Sequence, residues 1–138
     1  MVFDTSVVVH IVLREPGWSE SLGVLEQQES RLISAASLVE VQAVFSRNQT
    51  ISVEEALKRV DNFVVEASLE VVPLSLKQSR LAREAYLTYG KGRRHPASLN
   101  YGDVMSYALA KATGEMLAFV GDDFQHTDLK TLKLPLEG

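Results

Sequence analysis

The chain has 138 residues, 46% of them hydrophobic and 23% charged, with a formal net charge of −4. That is the length of one domain and enough for a sizeable core, since a chain of about 150 residues buries roughly 70% of its unfolded surface. The composition argues against disorder. The absence of cysteine excludes disulfides, thiolate metal sites and a cysteine nucleophile, and the negative balance argues against broad, nonspecific nucleic-acid binding through a basic surface.

The longest apolar run, Val7 to Leu13, is interrupted by His10 and falls short of the ~18 residues that a membrane helix needs. No basic stretch precedes it and no small-residue cleavage site follows, so it does not read as a signal peptide. With no cysteine as well, the chain fits a reducing cytoplasm.

Taken in order, Val2 to Asp4 reads as a first strand. The valines of Thr5 to Leu13 favour strand, but the length and the following break suit a helix, which Ser6 could cap; helix is the expectation. Glu15-Pro16-Gly17 is a turn, and Trp18 to Gln28 a second helix. Arg31 to Ser34 reads as a short strand. Leu38 to Gln49 reads as a helix with Leu38, Val41 and Phe45 on one face. Ser52-Val53-Glu54-Glu55 is a capping box that opens a helix running to about Ala67. Leu69 to Leu74 is strand-like, and Ser75 or Leu76 to Tyr89 is a helix. Gly90 to Pro96 forms a basic, flexible loop. Tyr101 to Thr113 is a clear helix, with Tyr101, Val104, Met105, Ala108, Leu109 and Ala112 on one face and Gly114 ending it. Met116 to Val120 reads as a buried strand, and Leu132 to Leu134 as a last short one.

This alternation predicts an α/β chain, a three-layer α/β/α sandwich around a central, mostly parallel sheet. Functional crevices in such sheets lie beyond the carboxyl ends of the strands. Asp4 and the pair Asp122-Asp123 both fall at such ends.

Each acid has a bland reading. Asp4 could simply cap the next helix; Asp103, after Asn100, could serve the helix dipole. Asp122-Asp123 could be a turn, and Glu40 a first-turn surface acid, although apolar residues flank it on both sides. Together they read differently, because an α/β sheet can gather all of them at one edge. Carboxylates brought together repel, and some protonate unless a cation intervenes. With no cysteine and no paired histidine spacing, zinc is a poor candidate. Mg²⁺ takes one or two carboxylates, several waters and phosphate oxygens. Such a cation lowers the pKa of a bound water and clamps a phosphodiester, so the chemistry inferred is phosphodiester hydrolysis.

Asp4-Thr5-Ser6, Glu40 on a helix, the run from Leu99-Asn100-Tyr101-Gly102-Asp103 to Ala110, and Gly121-Asp122-Asp123-Phe124 with Thr127-Asp128-Leu129 resemble the PIN-domain ribonucleases. They are most similar to the VapC toxins of bacterial type II toxin–antitoxin (VapBC) modules. The resemblance covers essentially all of residues 1–138 and implies a single PIN-like nuclease domain. It implies an endoribonuclease that uses Mg²⁺ or Mn²⁺, a cytoplasmic location, homodimers, and a VapB-like antitoxin whose C-terminal segment blocks the site. Asp4, Glu40 and Asp103 would form the acidic core, with Asp4 and Asp103 the principal metal ligands and Glu40 on the attacking water. Ser6, with Thr5, would support them. Asp123 fits the fourth position best, with adjacent Asp122 as the alternative.

Lys91, Arg93 and Arg94, with His95, form the one basic cluster; it could bind RNA phosphates or be a solvated loop. His10 reads as a core or boundary residue, His126 as a solvated turn residue, and Trp18 and Phe45 as core. Two rivals remain: a PIN-like module that holds RNA or protein without cutting, and a small-molecule phosphohydrolase with Asp4 as nucleophile. The latter chemistry commonly needs a second Asp two residues on, where Ser6 stands.

Overall fold

The computed structural model describes residues 1–47 and 51–136. Among these, five strands and six helices follow one another: β1 (Val2–Phe3), α1 (Thr5–Val12), α2 (Trp18–Glu26), β2 (Leu32–Ser34), α3 (Ala35–Phe45), α4 (Val53–Glu66), β3 (Glu70–Val72), α5 (Leu76–Tyr89), α6 (Tyr101–Thr113), β4 (Leu117–Val120) and β5 (Thr131–Leu134). The strands form one sheet in the order β3-β2-β1-β4-β5, and each pairing is parallel.

Alternate strand residues point to opposite faces of a sheet, and this decides which helices lie where. Phe3, Ile33 and Ala118 face one way and pack with Val7, Val8, Leu25, Val41, Phe45 and Val60. That face is therefore covered by α1 to α4. Val2, Leu32, Leu117 and Phe119 face the other way, onto Ala82, Ala85, Val104, Ala108 and Leu109 of α5 and α6. The result is the expected three-layer sandwich, with two apolar cores separated by the sheet. β1 is buried on both faces, which is why a two-residue strand with no polar position can hold the centre.

The strand order locates the functional crevice. From β1 the chain winds outward through β2 to β3, then crosses back to place β4 on the other side of β1. The order reverses between β1 and β4, and in open parallel sheets ligands bind at such a switch point, beyond the carboxyl ends. Asp4 follows β1 directly, and Asp123 comes three residues after β4.

Several boundaries differ from expectation for identifiable reasons. Ser34 starts α3 before Leu38, because its Oγ accepts the Ala36 amide at 3.2 Å as an N-cap. Glu40 therefore lies in the second turn, where the helix dipole no longer accounts for it. The expected end of that helix at Gln49 lies outside the described residues. Helix α6 is buried on nearly every side from Asp103 to Ala110, while Tyr101 is 70% exposed, so it has no single apolar face that includes Tyr101. At the start of α4 the Ser52 hydroxyl accepts the Glu55 amide, and the Glu55 carboxylate accepts from Arg59. The basic loop is closed at its base: Lys91 and Leu99 amides bond Leu99 and Tyr89 carbonyls at 2.8 and 2.7 Å. His95 packs edge-on against Tyr89. His10 is buried and hydrogen-bonds Ser21 at 3.0 Å, tying α1 to α2. Phe45 is buried in the core, and Trp18 is partly buried at its edge with the Arg14 guanidinium over its ring.

Candidate active site

The β1–α1 junction holds Asp4 in place from three directions. Its extended backbone makes it the N-cap of α1, and its Oδ2 accepts from the Ser6 amide at 3.1 Å and the Ser6 hydroxyl at 2.7 Å. Its Oδ1 accepts from the Ser106 hydroxyl of α6 at 2.6 Å. Capping and site-building thus coincide, and Asp4 is 4% exposed. Ser6 does a second job. Its Oγ accepts the Val120 amide at 3.0 Å, which ties the end of β4 to the start of α1. A buried chain of hydroxyls lies behind Asp4: Ser106 against Ser37 at 3.3 Å, and Thr5 against the Ser37 carbonyl at 3.4 Å.

Asp103 is the third residue of α6 and forms a reciprocal cap with Asn100. The Asn100 amide donates to Asp103 Oδ2 at 3.0 Å, and Asn100 Oδ1 accepts the Asp103 amide at 2.9 Å. Its carboxyl is nonetheless buried, and burial pushes its pKa up to about 7, with the charges of Asp123, Asp4 and Glu40 adding to the rise. Burial also raises Glu40, offset by the nearby Thr5 hydroxyl and raised again by the Asp4 charge. Asp123 is exposed at the cleft's edge; partial desolvation of its carboxyl and the Asp4 charge raise it, while the adjacent Asp103 and the nearby Lys91 pull it the other way. Carboxyls gathered around one cleft repel, and a cation between them would relieve that repulsion.

These four acids line one cleft of about 260 Å³, together with Thr5, Ser6, Asn100, Val120 and Glu15. Asp122 is not among them. It is exposed and paired with Lys133 at 2.6 Å, which holds its carboxyl below the usual range. Gly121, at φ +104°, turns the chain at the end of β4, and of the two aspartates that follow only Asp123 lines the cleft. Of the basic cluster, Lys91 is near enough to act on Asp123, whereas Arg93 and Arg94 are exposed on the loop. His126 is exposed.

Several supporting residues escaped the sequence reading. Ser106 stands three residues after Asp103, so helical spacing places both on one face, a signal that could have found it. Ser37 and Glu15 carried no comparable mark. Asp128 accepts from the Tyr107 hydroxyl and the Lys111 ammonium, both at 2.7 Å, and so anchors to α6 the segment that follows Asp123.

Among the described residues, no three His, Cys, Asp or Glu side chains already converge as a closed metal centre. The donors still suit a hard cation. They are carboxylates and hydroxyls without sulfur or imidazole, and Mg²⁺ needs only one or two of them beside water and phosphate oxygens.

Residues 1–130 match the PIN domain. The VapC ribonuclease Mb0640 of Mycobacterium bovis is 42% identical over 98% of this chain and 100% of its own length. Ribonuclease VapC42 of Mycobacterium tuberculosis is 41% identical over 94% of this chain and 97% of its own. Among solved structures, VapBC2 from Rickettsia felis, bound to a DNA fragment from its promoter, superposes with a TM-score of 0.72 at 19% identity. That match covers 96% of this chain and 98% of the other. Mycobacterium tuberculosis VapC20, a Sarcin-Ricin loop cleaving toxin, gives 0.70 at 14% identity, covering 94% and 96%. On these matches, and on acids gathered at the switch point of a parallel sheet, the chain belongs to the PIN-domain family, with the VapC ribonucleases.

Proposed function

We propose that residues 1–138 act as a single PIN-like nuclease domain, an endoribonuclease that hydrolyses RNA phosphodiester bonds at the cleft of Asp4, Glu40, Asp103 and Asp123. The observation that carries this reading is the gathering of Asp4, Glu40, Asp103 and Asp123 around one cleft at the switch point of the sheet. Such a cluster is costly for a merely structural corner and useful for holding positive charge against a phosphate. The naming of full-length relatives as VapC ribonucleases supports RNA as the polymer.

Asp4 and Asp103 would hold Mg²⁺, with Mn²⁺ as the alternative, and Asp123 would complete the site. When bound, such a cation lowers the pKa of water and offsets the charge on the phosphate. The chain's own residues do the rest. Ser6 and Ser106 fix both oxygens of Asp4. Glu40, raised by burial, accepts a hydrogen bond from the attacking water and orients it toward phosphorus. The water oxygen bonds to phosphorus and gives up its proton to the Glu40 carboxylate, while the bond from phosphorus to the 3′ oxygen breaks and that oxygen takes a proton from solvent. One fragment then ends in a 5′-phosphate and the other in a 3′-hydroxyl.

The VapBC neighbour supports a toxin role in a type II toxin–antitoxin pair, with a VapB-like antitoxin as partner. The protein would act as a homodimer in the cytoplasm. No helix among the described residues is long and apolar enough to cross a membrane.

Incubation with RNA, DNA and p-nitrophenyl phosphate in Mg²⁺ separates the readings. RNA fragments with 5′-phosphates are expected, and their loss in Asp4→Asn. An aspartyl-phosphate trapped at Asp4, or turnover of the small ester alone, would overturn the nuclease reading in favour of a phosphohydrolase.

A further inference from the structure

Gly102 is the second residue of α6, within a helix, where glycine is the poorest choice short of proline. Its φ lies outside the left-handed region, so the backbone does not call for glycine. Space does. A Cβ added to Gly102 would fall inside the Glu40 carboxylate, against Cδ and both oxygens. Glu40 reaches this seat from α3, on a helix that packs against α6. It lines the acid cleft on one side and a larger, more apolar cleft on the other, whose wall includes Gly102, Tyr101 and Met105. The atoms that a methyl group would meet are the far end of a flexible side chain. An alanine would therefore move the carboxylate and leave the helix pair in place.

We infer that Gly102 is a positioning residue: the bare Cα at this point of α6 is the seat that keeps the Glu40 carboxylate on the acid cleft. The inference rests on the reading of Glu40 as the group that orients the attacking water. It also explains the glycine within the first turn of the helix, in Asn100-Tyr101-Gly102-Asp103.

The test compares wild type, Gly102→Ala, Glu40→Gln and the double variant. Three readouts are taken: RNA cleavage in Mg²⁺, thermal melting, and the ¹³C carboxyl resonance of Glu40 in metal-free protein, assigned by its loss in Glu40→Gln. Gly102→Ala is expected to melt no lower than wild type, because alanine favours the helix. Its Glu40 resonance is expected to shift. Its kcat is expected to fall roughly tenfold or more, with KM changed less than about twofold, as for a displaced catalytic group. The double variant is expected to be no slower than Glu40→Gln alone, since the group the methyl displaces is already disabled. An unmoved resonance, wild-type kcat in Gly102→Ala, or additive losses in the double variant would overturn the inference. So would a sharp fall in melting temperature, which would make Gly102 a packing residue. If wild type cleaves no RNA, or Glu40→Gln cleaves like wild type, the proposed function fails instead, and the resonance still decides whether the seat exists.

Discussion

Asp4 receives two hydroxyls, and the one from α6 is the more telling. Ser106 is fully buried, and its hydroxyl reaches Asp4 Oδ1 at 2.6 Å. Hydrogen bonds to charged groups contribute about 1.5–3 kcal/mol each. Ser106→Ala is therefore expected to cost about 1–3 kcal/mol in urea unfolding. It should also slow RNA cleavage by roughly tenfold through misplacement of Asp4. Asp103 gives a second prediction at this scale. Its folded pKa of about 7 lies above the ordinary carboxylate value, so between those two pH values the folded state binds the extra proton. Stability that is present at low pH is then lost as pH rises through about 7. Metal-free protein in chelator is expected to unfold at lower urea at pH 7.5 than at pH 5, Mg²⁺ should remove that difference by stabilising the ionised site at pH 7.5, and Asp103→Asn should flatten it. A stability that rises over that pH range in chelator would contradict the assignment. The choice between Asp122 and Asp123 is also a matter for single residues. The two side chains are adjacent and chemically identical, so only the resemblance favoured Asp123 in sequence, with Asp122 as the alternative. The turn at Gly121 and the partner Lys133 separated them in space.

Elements were legible where the signal is local. Apolar runs, the Asn100 cap and Gly114 at the end of α6 all act within a few residues, and the expected helices and strands follow them. The start of α3 was not, because Ser34 closes a strand and caps a helix at once, leaving no loop to mark the boundary. The supports of the site were the least legible. Ser106 and Asp4 are 102 residues apart in the chain, and nothing local in either marks the other. The Tyr107–Asp128–Lys111 cluster is of the same kind, since it holds the segment after β4 to the outside of α6. Asp128→Ala leaves the Tyr107 hydroxyl unpaired near the core and frees the segment that follows Asp123. It is expected to cost about 1–2 kcal/mol. It should also lower kcat several-fold without touching the cleft directly, measured by urea unfolding beside steady-state cleavage rates. Wild-type kcat in a destabilised Asp128→Ala would limit the cluster to a packing role.

At the scale of the whole molecule, an acidic protein has to bring a polyanion to a cleft of carboxylates. The net charge of −4 offers no general attraction, so the basic loop is the proposed phosphate contact, and the Lys91 charge acts on Asp123. Each phosphate contact on a single strand contributes about −0.7 to the slope of log affinity against log salt. Replacing Lys91, Arg93 and Arg94 with alanine is expected to raise KM, leave kcat nearly unchanged, and reduce that slope by about 2. An unchanged slope would mean that the loop is only solvated. The topology sets the frame for all of this: β1 and β4 are neighbours in the sheet yet lie more than a hundred residues apart in sequence, and the reversal between them brings Asp4, Asp103 and Asp123 together. On the proposed function, these acids, with Glu40, form one cation-dependent RNA-cleaving centre. Initial rates of RNA cleavage against Mg²⁺ concentration, for wild type and Asp103→Asn side by side, test it most directly. Cleavage should vanish in chelator, return with added Mg²⁺ or Mn²⁺, and fall by roughly a hundredfold or more in Asp103→Asn at saturating cation. Cleavage that persists in chelator, or Asp103→Asn cutting RNA at the wild-type rate, would contradict it.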